Sequence, residues 1–127
     1  MDSNLKVRQF KHESETWKRN LEFMMQENAH LKNRLSEVLD TISNDEDILN
    51  AAEEYQNHFI REDESFHLLR RDIAELDHLL NREIYEDGML KKEVVYKKKK
   101  LSKEIETSIK EFNKMKFDFN SYLEDVL

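Results

Sequence analysis

From Phe10 onward, one series of positions returns every seven residues as Phe10, Trp17, Met24, Leu31 and Val38, interleaved with Ser14, Leu21, Asn28, Leu35 and Ile42. Spacings that alternate four and three place both series on one side of an α-helix, the first at d and the second at a of a heptad. Strand alternation would instead drive Glu22, Lys32 and Arg34 into a core. Met25 and Leu39 widen the stripe, and Ser14 and Asn28 are its polar exceptions.

The logic repeats twice. A second stripe runs through Ala52, Tyr55, Phe59, Phe66, Leu69, Ile73, Leu76 and Leu80. A third runs through Val94, Leu101, Ile105, Phe112, Met115, Phe119, Tyr122 and Val126, with Ile109 and Leu123 beside it. Between the first two, Ser43 precedes Glu46 at the capping-box spacing. Between the second and third, Gly88 stands where a helix needs a left-handed last residue. The pattern predicts helices over about residues 3–42, 45–86 and 89–125, each on the order of 55–60 Å long at the α-helical rise.

One such helix cannot bury its stripe alone, and short connections force antiparallel neighbours. The expected fold is all-α: one long up-down-up three-helix bundle, or coiled coil, forming a single domain over residues 1–127. Its seam is expected to hold Trp17, Leu21, Met24, Asn28, Leu31 and Leu35 of the first helix. Phe59, Phe66, Leu69, Ile73 and Leu76 come from the second, and Leu101, Ile105, Phe112 and Phe119 from the third. Asn28 in that seam calls for a partner, either Ser108 or a polar residue of the second helix. Heptads do not count helices, so the stripes could also close across a dimer or a domain swap.

Composition narrows the function classes. With one Gly, no Pro and no Cys among 127 residues, loop-rich active sites, phosphate-cradling glycine turns, thiolate metal sites and disulfide frameworks drop out. No apolar run reaches the length of a membrane span, and no basic-then-apolar leader opens the chain, so a cytoplasmic location is expected.

Charged residues make up 39% and the net charge is −7. Residues 1–42 are balanced, residues 43–88 carry fourteen acidic against four basic groups, and residues 89–127 carry ten basic against seven acidic. Because unlike charges on neighbouring helices attract, this reads as an internal pairing code that sets Lys97–Lys103 opposite Asp72–His78.

Three Glu-x-x-His spacings, Glu27/His30, Glu64/His67 and Glu75/His78, resemble the ligand spacing of ferritin-like di-iron bundles, and that resemblance implies a metal-dependent bundle enzyme. The heptad positions oppose it: His30 falls at c, His67 at b, and Glu64 and His78 at f, all outward. The run Lys97–Lys100, with Lys91, Lys92 and Lys103, could meet phosphates or an anionic membrane. Four consecutive lysines spread around a helix, however, and the chain is acidic, with no aromatics expected between them on an exposed face; a nucleic-acid partner is not expected.

The stretch from Glu27 to Leu35, with its lone Asn28 at a, resembles a leucine zipper. The DNA-reading basic region is missing, because Lys6, Arg8, Lys11, Lys18 and Arg19 are sparse and interrupted. In length and heptads, with an early Trp17, the chain is similar to spectrin-type three-helix repeats. No serine sits on a nucleophile elbow. The expectation is a non-enzymatic interaction or scaffold module with no catalytic, cofactor-binding or metal-ligating set and no small-molecule substrate. Its partner would be another protein, a second copy of itself, or both.

Overall fold

The computed structural model describes residues 2–41, 45–82, 85–86, 89–90 and 92–127. Three helices dominate: α1 (Asp2–Thr41), α2 (Glu46–Arg82) and α3 (Lys92–Val126). They pack as an all-α three-helix bundle in the predicted order, and all the seam residues named above are buried. No helix among the described residues is long and apolar enough to cross a membrane.

The ends of α2 differ from expectation. The Ser43 cap and the left-handed Gly88 both lie outside the described residues. The carboxylate that caps α2 is that of Asp45, whose Oδ1 accepts from the backbone N–H of Asp47 at 3.0 Å and of Ile48 at 3.4 Å. Asp45 thus satisfies two of the donors that a helix start leaves free. At the other end α2 stops at Arg82, not at residue 86. A two-residue antiparallel ladder follows, β1 (Tyr85–Glu86) with β2 (Met89–Leu90), pairing Tyr85 with Leu90 and Glu86 with Met89. Its flanks in sequence are β-branched, aromatic and aliphatic residues around Asp-Gly, a hairpin signal that competes with helix continuation.

The directions of the helices follow from their cross-links. Phe66 meets Phe112 edge-on with ring centroids 5.6 Å apart, and Phe59 meets Phe119 at 5.0 Å. Rising numbers on α2 therefore match falling numbers on α3. Between α1 and α3 the order is shared: Lys98 Nζ lies 2.7 Å from Glu13 Oε2, and Lys116 Nζ lies 3.0 Å from Glu27 Oε2. The Lys98 stem lies along the seam and its ammonium stands 5.1 Å from the centre of the Phe10 ring, as a lysine at an a position must when it snorkels. Burial of each large apolar side chain in this seam contributes roughly 1.5–3 kcal/mol.

Heptads alone leave the α1–α2 register open, and two polar clamps fix it. Asn28 is fully buried, and its Nδ2 donates to the Phe59 carbonyl at 3.0 Å and to Asp63 Oδ1 at 2.7 Å. Lys32 closes on the other oxygen of Asp63. Two heptads earlier on α1, and two heptads later on α2, the arrangement recurs. The buried Ser14 Oγ donates to Asp77 Oδ1 at 2.5 Å, and Lys18 closes on Asp77 Oδ2. Asn28 thus finds its partners on α2, while Ser108 is buried with no hydrogen-bond partner among the described residues.

The flanks of α1 carry the pairing code: glutamates at g meet lysines of α3, and lysines at e meet aspartates of α2. Truncating one clamp, Asp63→Ala, strips Asn28 of one acceptor and Lys32 of its carboxylate. It is expected to cost about 1–2 kcal/mol in urea unfolding; an unchanged midpoint would remove the clamp from the account.

Candidate functional site

The Glu-x-x-His pairs do not converge. Glu27 is engaged by Lys116 and His30 is exposed, as are Glu64, His67, Glu75 and His78. Among the described residues no three His, Asp or Glu side chains come together in a way that could hold a metal ion. The physical reason is the wheel position: Glu64, His67 and His30 project to solvent, Glu27 at g is taken by Lys116, and Glu75 and His78 border the α2–α3 side of the bundle.

One histidine–carboxylate contact does reach the interior. His58 Nε2 lies 3.3 Å from Glu62 Oε1, and Glu62 is only 7% exposed. Burial pushes its carboxyl above the usual carboxylate range, His58 opposes the rise, and Glu111 of α3 adds to it. The contrast with Glu13 is instructive. Burial would raise Glu13 too, but hydrogen bonds from Lys98 and Gln9 hold it below the usual range. Glu62 is a residue that sequence reasoning passed over. The signal was the one carboxylate at a d position between Phe59 and Phe66.

The larger feature is a trough between α2 and α3. Its floor is apolar: Leu69, Leu76 and Leu101 are buried, Leu79 is half-buried, and Leu68 stands 51% exposed on the lip. Three stretches run into one another through shared walls at Asp72, Glu104, Glu75 and Lys97; the middle one holds about 160 Å³ and the outer two, open to solvent, about 440 and 430 Å³. The rim draws carboxylates from both helices and lysines from α3 alone, and Lys97 and Lys100 stand across from Asp72 and Glu75 where the charge map places them.

The remaining exposed apolar side chains include Phe23 on α1, Ile60 on α2, and Tyr96 and Phe117 on α3. Tyr96 is 68% and Phe117 71% exposed. This corrects the expectation that no aromatic interrupts the exposed basic face of the third helix: with Ile105 at a, both rings fall at f, the outermost position. At the opposite extreme, Tyr55, Phe59, Phe119 and Tyr122 form a closed aromatic cluster in the seam, locked by the Tyr122 hydroxyl donating to the Ile48 carbonyl at 2.9 Å. That cluster is packing. The chain matches no protein-family model, no curated protein and no solved structure.

Proposed function

We propose that the chain is a non-enzymatic interaction module, a rod that receives an amphipathic helix of a protein partner, or of a second copy, along the α2–α3 trough. The observation that supports this reading is the trough itself: an apolar floor, with Leu68 presented on its lip, bordered by charges of both signs. A fourth helix laid there would cover leucines at the spacing that helices use to recognise grooves, and its own charges would be selected by the mixed rim. The reading places the module in the cytoplasm and gives it no substrate.

Leu68→Glu puts a carboxylate on the lip without entering the core. In a pull-down from native extract, the wild-type rod is expected to retain a partner near one-to-one stoichiometry, and the variant is expected to lose at least nine-tenths of it. Self-association by the same trough would appear as a wild-type dimer in light scattering that Leu68→Glu converts to monomer. A rod that is monomeric and recovers no stoichiometric partner, or whose complexes ignore the substitution, would overturn the reading.

A further inference from the structure

We infer that the outward side of α3 is a docking surface for an anionic phospholipid bilayer. The inference rests on a row of side chains that the seam does not use. On α3 the positions 92, 96, 99, 103, 107, 110, 114, 117 and 121 follow one another at spacings of three and four, and every one is exposed. Such spacing makes one straight stripe along a helix, opposite the buried stripe.

Five of the positions are lysines: Lys92, Lys99, Lys103, Lys110 and Lys114. Thr107 and Ser121 are neutral, the other two are Tyr96 and Phe117, and the row contains no carboxylate. The corresponding outward rows of α1 and α2 are interrupted by acids, Glu15 and Glu22 on the first and Glu64 on the second. The lysines of α3 that do serve the fold, Lys98 and Lys116, lie off the row and pair with α1. Lys110 contacts Glu106 at 3.5 Å, but both groups are mostly exposed, so that pair neutralises little.

The geometry selects a flat target. Tyr96 and Phe117 are three heptads apart, about 31 Å along the axis at the α-helical rise, and both project from the outermost line. A straight rod lying on a bilayer sets both rings at one depth, with the lysines between them at the level of the headgroups. Aromatic rings favour that interface, and lysines gather where anionic lipids create a negative surface potential. A nucleic-acid duplex suits the row less well, because its phosphate ridges wind away from a straight line. The row also contains no arginine, the side chain best matched to phosphate recognition on nucleic acids; every arginine of the chain precedes α3. Of the row's lysines, Lys103 shares a stretch of the α2–α3 trough with Asp72 of α2; the other four do not line the trough.

The test is flotation of the full chain with large vesicles of phosphatidylserine and phosphatidylcholine, 30:70, against pure phosphatidylcholine. Parallel samples contain a mixed-sequence 20-base-pair DNA duplex or RNA duplex of the same length. Expected are binding to the serine-containing vesicles that falls at least tenfold between 0.05 and 0.3 M NaCl, and none to pure phosphatidylcholine. Lys99→Glu/Lys110→Glu, two exposed lysines of the row that do not line the trough, is expected to reduce the partition coefficient at least tenfold, and Tyr96→Ser/Phe117→Ser about threefold or more. Arg19→Glu on the outside of α1 leaves it unchanged. All substituted side chains are exposed, and circular dichroism verifies that the variants keep their helices. Failure to float with anionic vesicles at low salt, equal loss with Arg19→Glu, or tighter binding to either duplex than to the vesicles would overturn the inference. None of these results bears on the α2–α3 trough, which Leu68→Glu probes separately.

Discussion

Phe59→Ala is expected to destabilise the bundle by about 3–5 kcal/mol, the range for deleting a buried phenyl ring and leaving the space behind it. Phe59 is wholly buried, its ring 5.0 Å from that of Phe119 at an interplanar angle of 86° and 6.5 Å from that of Tyr55. It also supplies the carbonyl that receives Asn28. The surrounding helices cannot collapse onto the vacancy without shifting that clamp, so relaxation recovers little. Phe117→Ala provides the comparison: the same chemical deletion at a side chain 71% exposed is expected to change stability by less than about 0.5 kcal/mol. Urea titration followed by circular dichroism reads both. Equal losses from the two variants would mean that the stripe through Phe59 is not the seam.

That contrast shows what could be read from the sequence. The period of the apolar residues names the face of each helix that is buried, and it separates Phe59 from Phe117 without coordinates. It does not name the register, because a heptad slides against its neighbour by seven residues with nearly the same apolar contacts. Register here depends on polar groups: Ser14 with Lys18 and Asn28 with Lys32 on α1, matched by Asp77 and Asp63 on α2. The identical two-heptad spacing of those three sets stands in the sequence, but only the antiparallel pairing gives it meaning.

The surface of α3 was obscured for a different reason. Lys97–Lys100 draw the eye as neighbours in sequence, yet neighbours diverge around a helix; the row that shares a face is spread over residues 92–121. Capping at Asp45 and the ladder at Tyr85–Leu90 were hidden because connections depend on a few local hydrogen bonds that periodicity does not report.

The other large effect is a gain. Glu62→Leu is expected to stabilise the protein by about 1–2 kcal/mol at pH 7, since replacing a buried charge with an apolar side chain of similar volume is often neutral or stabilising. For a chain of this length that corresponds to a rise in Tm of roughly 3–8 °C. Glu62 sits at a d position, buried against the seam, with His58 and Arg61 on its own helix and Glu111 on α3 as the charges that act on it.

Its carboxyl is raised above the ordinary value by burial, so the folded state holds a proton at pH values where the unfolded chain has released it. Linkage then fixes the sign: wild-type stability from this group is greatest below the unfolded value near 4.5 and is lost as pH rises through the folded one. At neutral pH the ionised group is a net cost, which the contact with His58 only partly offsets. Leucine has no proton to lose. The difference in Tm between Glu62→Leu and wild type should therefore be small near pH 4 and widen toward pH 7. Thermal melts across that range decide the matter: a difference that shrinks toward neutral pH would mean that His58 stabilises the carboxylate more than burial penalises it.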